Sequence, residues 1–157
     1  MSAKTLDSKK LANLLKRLRS KGRRVVFTNG CFDILHVGHV DYLSKAKSLG
    51  DILVVGLNSD SSVKKIKGKG RPINNARDRA KVLSALSCVD YISVFGESTP
   101  ERLIRQLKPD TLVKGGDWKI EDIVGGEFVK SHGGKVKRIP FVRGYSTTSL
   151  IKKIENI

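Results

Sequence analysis

Two histidines and a glycine form the pattern in this sequence that has the clearest chemical meaning. His36 and His39 are three residues apart, with Gly38 between them, shortly after an apolar run. If a helix begins here, this spacing places both imidazoles on one helical face. A helix N-terminus presents unpaired N–H groups and the positive end of the helix dipole, so two imidazoles beside it predict a polyphosphate site. Gly38 has no side chain and would let a phosphate approach the backbone.

The residues just before the histidines leave the predicted strand in a sharp turn. They are Asn29, Gly30, Cys31, Phe32 and Asp33. Aspartate is common in turns, so Asp33 could have a purely local role. A zinc site of Cys31, Asp33, His36 and His39 is an alternative, although the sequence lacks the paired C-x-x-C elements that structural zinc sites use.

A strongly basic segment, KKIKGKGR, covers residues 64–71. A flexible loop of this charge could close over phosphates and shield the charge that develops during group transfer. We take Lys67, Lys69 and Arg71 as its candidate functional residues. A run of solvated surface lysines would have the same sequence, so this alternative stays open.

Two later segments also contain residues suited to ligand binding. In KGGDW, residues 114–118, the glycines would let the main chain approach a ligand, and Asp117 could accept hydrogen bonds or cap the next helix. Trp118 could stack on a ligand or pack internally. Ser146, Thr147 and Thr148 could cap the last helix and form a second anion site.

The elements that must position these residues alternate between short apolar runs and helical patterns. We predict strands over residues 24–28, 51–57, 89–95, 111–114 and 135–139, and helices over 40–49, 76–86, 100–107, 120–131 and 146–155, with a loop over 58–75. This alternation is typical of an α/β fold with a Rossmann-like, five-stranded parallel sheet and helices on both faces. An amphipathic helix over 6–21 makes residues 1–22 a helical lead-in to a domain at 23–157. In such sheets ligands bind at the carboxyl ends of the strands, here the loops 29–38, 58–75, 115–119 and 141–145.

Composition narrows the classes of function. The chain has 157 residues and a formal charge of +16, which favours phosphate-bearing partners. Nucleic acid is one such partner, but aromatic residues make up only 6% and do not alternate with the basic run. A basic nucleic-acid-binding module therefore stays as an alternative from a different class. No secretory signal and no apolar stretch of membrane-spanning length is visible, so we expect a cytoplasmic protein without membrane contact.

The sequence GCFDILHVGH at residues 30–39 resembles the GxFDxxHxGH signature of the HxGH, cytidylyltransferase-like nucleotidyltransferases, and the similarity covers residues 24–155. Within this superfamily the chain most resembles the heptose 1-phosphate adenylyltransferases, also called ADP-heptose synthase domains. Two segments carry this resemblance, KGGDW and the block GGKVKRIPFVRGYSTTSLIKKI. Glycerol-3-phosphate cytidylyltransferases share the first signature and a similar STT segment, so they are the alternative within the superfamily.

This resemblance implies an enzyme that transfers AMP from ATP, with Mg²⁺, to a sugar 1-phosphate, giving ADP-heptose for lipopolysaccharide. It implies that His36 and His39 contact the triphosphate and stabilise the departing pyrophosphate, and that Asp33 lies near the triphosphate and the metal. From the basic segment we add Lys67 and Lys69 as catalytic candidates. The other implied nucleotide contacts are Gly30, Cys31, Phe32, Gly38, Arg79, Gly116, Asp117, Ser146, Thr147 and Thr148. The implied contacts to the sugar phosphate are Asn29, Lys114, Trp118 and Arg143. We also expect a homodimer, and a separate sugar kinase that supplies the acceptor.

Overall fold

Five parallel strands form the central sheet of the computed structural model, which describes residues 3–116, 118–140, 142 and 144–157. The strands are β1 Val25–Gly30, β2 Ile52–Asn58, β3 Tyr91–Phe95, β4 Thr111–Gly115 and β5 Lys135–Ile139. Their order across the sheet is β3-β2-β1-β4-β5. In register, Val26 pairs with Leu53 of β2 on one side and with Thr111 of β4 on the other. The predicted fold class is confirmed.

The helices lie on both faces of this sheet. They are α1 Ser8–Arg19, α2 Val37–Lys47, α3 Asp60–Lys67, α4 Ala76–Ala85, α5 Glu101–Leu107, α6 Gly126–Ser131 and α7 Thr147–Glu155, with a 3-10 turn at Ile120–Asp122. Among the described helices, none is long and apolar enough to cross a membrane.

Two apolar cores hold the layers together. On one face α1, α5 and α6 pack on the sheet, and the α1 side chains Leu11 and Leu15 are completely buried there. On the other face α2 and α4 bury Leu43 and Leu83 against Leu53 and its neighbours. Since β1 and β2 have a helix layer on each face, β2 is buried along its whole length, which explains its continuous apolar sequence.

The order of the strands decides where a ligand can bind. The chain moves outward from β1 through β2 to β3, then returns to place β4 on the other side of β1. The connections after β1 and β4 therefore lead away in opposite directions and leave a crevice between them. The turn that contains the two histidines follows β1, and Lys114 is near the end of β4.

Three predicted boundaries were wrong. Residues 58–75 are not all loop, because helix α3 occupies Asp60–Lys67, capped by the Ser59 hydroxyl and anchored by buried Val63. The predicted helix over 120–131 is divided into the 3-10 turn and α6, because Gly125 adopts a left-handed conformation with φ of 82°. Helix α2 begins at Val37, three residues before the predicted start, which makes His36 its N-cap residue and brings His39 into its first turn.

Candidate active site

The two histidines of the sequence motif stack on each other at the start of α2. His36 is the N-cap residue, and its ring centroid lies 3.8 Å from that of His39, with 25° between the ring planes. Gly38 makes this arrangement possible, because a Cβ atom there would lie 3.1 Å from the His36 ring and 3.2 Å from Cβ of Tyr145. The predicted placement of both imidazoles on one face of the helix is confirmed.

Burial favours the neutral form of both imidazoles. Burial, and secondarily the neighbouring His36, lower the pKa of His39 from 6.5 to about 4. Burial also lowers the pKa of His36. The Nδ1 atoms of both rings are buried and have no hydrogen-bond partner among the described residues. These two ring nitrogens thus lie inside the protein without a partner among the described residues, while both histidines line the cleft.

Phe32 supports the pair from the turn after β1. Its backbone has a φ of 45°, and its ring meets the ring of His39 edge to face at a centroid distance of 5.3 Å. Gly30 leaves room for the Phe32 ring, since a Cβ there would come within 2.9 Å of it. The strained turn is thus held by the packing of a buried aromatic ring.

Asp33 organises the segment that follows α3. Its buried carboxylate accepts hydrogen bonds from the backbone N–H groups of Ile73 and Asn74 at 2.8 and 2.9 Å, and from Nε of Arg71 at 2.6 Å. Burial alone would raise its pKa, but the two backbone donors and Arg71 outweigh burial and hold the pKa of Asp33 below its ordinary value. Both carboxylate oxygens are therefore occupied by donors of the protein.

The basic segment contributes to the site unevenly. Lys67, at the end of α3, and Arg71 line the cleft beside the histidines. Lys69 is exposed and does not line it. Gly68 and Gly70, with φ of 90° and 86°, bend the chain between these residues. The structure thus brings two of the three candidate basic residues to the site.

Arg79 lies behind the cleft and does not line it. The side chain is 1% exposed and forms a 2.8 Å ion pair with Asp60. Its guanidinium also donates to the carbonyl oxygens of Cys31 and Asn74. Arg79 therefore links α4, α3 and the turn after β1. The sequence predicts that Arg79 contacts the nucleotide phosphates, but in this position the side chain does not reach the cleft lining.

The end of β4 forms another wall. The Lys114 ammonium is 3.4 Å from Oδ1 of Asn29 on β1 and 5.9 Å from the ring centroid of Trp118. Trp118 is 51% exposed and borders the cleft. Gly116 has a φ of 86° and turns the chain just beyond the strand, outside the cleft lining. Two other predicted residues, Asp117 and Arg143, lie outside the described residues.

The start of α7 faces the cleft as predicted. Ser146 caps the helix through the backbone N–H of Ser149, whose hydroxyl in turn accepts from the Ser146 N–H. The Thr147 hydroxyl donates to the carbonyl oxygen of Ile34 at 3.4 Å and thereby joins α7 to the turn before α2. Two helix N-termini, those of α2 and α7, consequently open into one cavity.

These residues enclose a cleft of about 610 Å³. Of the predicted residues, it is lined by Asn29, Gly30, Cys31, Phe32, Asp33, His36, Gly38, His39, Lys67, Arg71, Lys114, Trp118, Ser146, Thr147 and Thr148. Burial raises the pKa of the Cys31 thiol, which favours its neutral form. Among the described residues, no group of three or more His, Cys, Asp or Glu side chains converges to hold a metal ion.

Sequence reasoning missed several lining residues. They include Tyr42, Ser98, Thr99, Pro100, Asp122, Ile123 and Val124, whereas the further lining residues Asn58, Ile66, Gly115, Val142 and Tyr145 fall in the loops 58–75, 115–119 and 141–145 where the sequence predicts ligand binding. Ser98, Thr99 and Pro100 follow β3 at the same edge of the sheet as the other loops. Because ligands bind at the carboxyl ends of parallel strands, these three residues could have been predicted. The remaining residues lie on helices or turns whose orientation is decided by packing.

The sheet order, and a cleft into which two helix N-termini open, are typical of α/β proteins that bind nucleotides. A family model described as "Cytidylyltransferase-like" matches residues 27–153. The chain therefore belongs to the cytidylyltransferase-like family, and the prediction of a nucleotidyltransferase enzyme is confirmed.

Relatives with curated names carry the description "Bifunctional protein HldE". Those of Geobacter metallireducens and Citrifermentans bemidjiense are 54% and 55% identical to this chain over 96% and 97% of its length. The chain spans only 30% and 32% of these two relatives. The similarity is thus to one part of a longer protein.

Solved structures agree with this assignment. The lipopolysaccharide core biosynthesis protein of Thermoplasma volcanium is 31% identical, with a TM-score of 0.65 over 80% of this chain and 100% of that one. A pantoate-beta-alanine ligase from Francisella tularensis has the same TM-score at 16% identity, over 99% of this chain and 79% of its own. The second likeness concerns the fold alone.

Proposed function

We propose that this chain transfers AMP from ATP to a sugar 1-phosphate, D-glycero-β-D-manno-heptose 1-phosphate, and releases ADP-heptose and pyrophosphate. The observation that carries the proposal is the stacked pair of His36 and His39 facing the N-terminus of α7 across one cleft. The choice of ATP and heptose is supported by the KGGDW segment, by the C-terminal block and by the relatives named HldE. Glycerol 3-phosphate with CTP is the alternative pair within this superfamily.

The acceptor needs little activation. A phosphate monoester is largely dianionic near pH 7, so its oxygen is already a nucleophile and no general base is required. In the proposed reaction this oxygen forms a bond to the α-phosphorus of ATP, while the bond from the α-phosphorus to the bridging oxygen breaks and pyrophosphate leaves. The task of the protein is to position two anions and to offset their repulsion.

The residues of the cleft are suited to this task. The imidazoles of His36 and His39 line the cleft and would donate hydrogen bonds to the phosphates and to the departing pyrophosphate. The N–H groups at the start of α7 would bind the same triphosphate from the opposite side. Lys67 and Arg71 add positive charge at the cleft wall.

Magnesium would accompany the nucleotide in this scheme. The described residues offer no ready-made cage for a metal ion, and the oxygens of Asp33 already accept hydrogen bonds from protein donors. Mg²⁺ in nucleotide enzymes is often bound mainly by substrate phosphates. We therefore assign it to the Mg–ATP substrate.

A panel of substrates tests the proposal. The full chain is incubated with ATP or CTP and with heptose 1-phosphate or glycerol 3-phosphate, and pyrophosphate release is followed. We expect release only with ATP and heptose 1-phosphate. The His132→Gln variant, changed at a surface histidine outside the cleft, is the matched control and should react like the unaltered chain. Turnover only with CTP and glycerol 3-phosphate would overturn the assignment of substrates.

A further inference from the structure

The chain from the last turn of α3 to the first turn of α4 has no apolar anchor of its own. No residue from 64 to 78 is buried, and the Ile66 and Ile73 side chains are 47% and 53% exposed. An added Cβ at Gly68 or Gly70 would meet no packed neighbour within 4 Å. Burial of apolar side chains therefore does not fix the course of this segment, and polar contacts must do so.

Asp33 provides most of these polar contacts. Its side chain is only 1% exposed, and its carboxylate accepts hydrogen bonds from the backbone N–H groups of Ile73 and Asn74 and from Nε of Arg71. The side-chain amide of Asn74 also donates to the carbonyl oxygen of Asp33 at 2.7 Å. The segment 71–74 is thus fastened to a single residue of the turn after β1.

The carboxylate of Asp33 has no acceptor site left for a metal ion. Oδ1 accepts from Ile73 and Asn74, and Oδ2 accepts from Arg71 and, at 3.0 Å, again from Ile73. An ionised carboxylate has about four acceptor sites, so these contacts fill it. A metal ion could bind Asp33 only by displacing one of these donors.

Arg71 is held at one of its three guanidinium nitrogens. Its Nε donates to Asp33 at 2.6 Å, while its two terminal amino groups have no hydrogen-bond acceptor among the described residues. The residue lines the cleft, and its side chain is 18% exposed. A guanidinium binds phosphate best through two parallel N–H groups. Because Asp33 fixes the guanidinium before a nucleotide binds, less side-chain entropy is lost on binding.

We infer that Asp33 is a positioning residue, which holds the segment 71–74 and orients the Arg71 guanidinium towards the triphosphate without binding the nucleotide or its metal. This inference rests on the proposed function for the identity of the ligand, Mg–ATP, and deepens it by assigning a phosphate contact to Arg71. Since Asp33 acts through Arg71, substitutions at the two positions disturb the same contact.

Equilibrium binding of Mg–ATP to Asp33→Asn, to Arg71→Met and to the double variant, measured by calorimetry, tests this without turnover. We expect each single change to weaken binding about 10- to 100-fold, the scale for loss of one charged hydrogen bond, and the double variant to bind within about threefold of Arg71→Met. Effects that multiply in the double variant would overturn the inference. Asp41→Asn is the matched control and should bind like the unaltered chain, because Asp41 pairs with Lys45 on α2 outside the cleft lining.

Two further measurements separate positioning from a metal-binding role. Hydrogen exchange at the Ile73 and Asn74 amides should be faster in Asp33→Asn, and unchanged exchange would contradict the inference. The Mg²⁺ concentration for half-maximal ATP binding, compared at matched ATP saturation, should stay within about twofold in Asp33→Asn, because Mg²⁺ is bound mainly by the phosphates. A large rise would make Asp33 a metal ligand instead.

The same experiment distinguishes this inference from the proposed reaction. The expected binding pattern without pyrophosphate release from ATP and heptose 1-phosphate would support the role of Asp33 and contradict the proposed acceptor. Absence of Mg–ATP binding by the unaltered chain would overturn both.

Discussion

The burial of His39 makes a quantitative prediction about stability in mild acid. Its pKa in the folded chain is about 4, against 6.5 for the ordinary side chain. Below pH 6.5 the unfolded chain therefore binds more protons than the folded chain, and stability is lost as the pH falls from 6.5 towards 4. The corresponding Asp33 contribution is lost only below its ordinary pKa of 3.8, so it barely affects this range.

The magnitude follows from the separation of the two pKa values. At pH 4.5 the full shift of His39 corresponds to a loss of about 2.5 kcal/mol relative to neutral pH, at 1.36 kcal/mol per pH unit. Solvent reaches part of the ring, so we expect about 1–2 kcal/mol. The lowered pKa of His36 acts in the same direction.

Urea unfolding at pH 7.5 and pH 4.5 measures this effect. The loss of unfolding free energy between the two conditions should be about 1–2 kcal/mol smaller in His39→Gln than in the unaltered chain. His132→Gln is the control, because this third histidine lies on the surface at the end of α6 and should leave the loss unchanged. Equal losses in the unaltered chain and in His39→Gln would refute the reasoning.

Three further predictions concern single positions in or behind the cleft. His36→Ala should lower kcat by at least about 100-fold through loss of a charge-stabilising donor, and near-normal pyrophosphate release would reject that role. Gly38→Ala should reduce kcat about tenfold or more, because its new Cβ would displace the His36 ring; an unchanged rate with an intact fold would show that the stacking is dispensable. Arg79→Met should lower the free energy of unfolding by about 2–4 kcal/mol, since three hydrogen bonds are lost, and a loss under about 0.5 kcal/mol in urea unfolding would contradict it.

Much of the fold and part of the site could be predicted because their signals are local. Apolar runs between helical patterns indicate a parallel α/β sheet, and the run in β2 reflects burial on both faces. The spacing of His36 and His39 determines that the rings share a helical face, whatever packs around them. The cap at Ser146 is equally local, since its partner Ser149 is three residues away.

Roles that depend on distant partners could not be predicted in this way. Arg79 lies close in sequence to the basic segment, yet its hydrogen bonds to Cys31 and Asp60 bury it behind the cleft. Lys67 and Lys69 have the same chemistry, but the end of α3 and the bend at Gly68 bring only Lys67 to the cleft wall.

By itself, the sequence determined the class of fold through its alternating apolar and helical patterns, and it determined the stacked histidine pair and the Ser146 cap of the last helix through spacing within a few residues. Tertiary structure alone decided that β4 lies beside β1. This strand order places the Lys114 ammonium 3.4 Å from Oδ1 of Asn29, which lies 85 residues earlier in the chain. It leaves the lysine without a carboxylate partner among the described residues. Such a pairing depends on the order of strands in the sheet, which results from the packing of the whole domain and leaves no local pattern in the sequence.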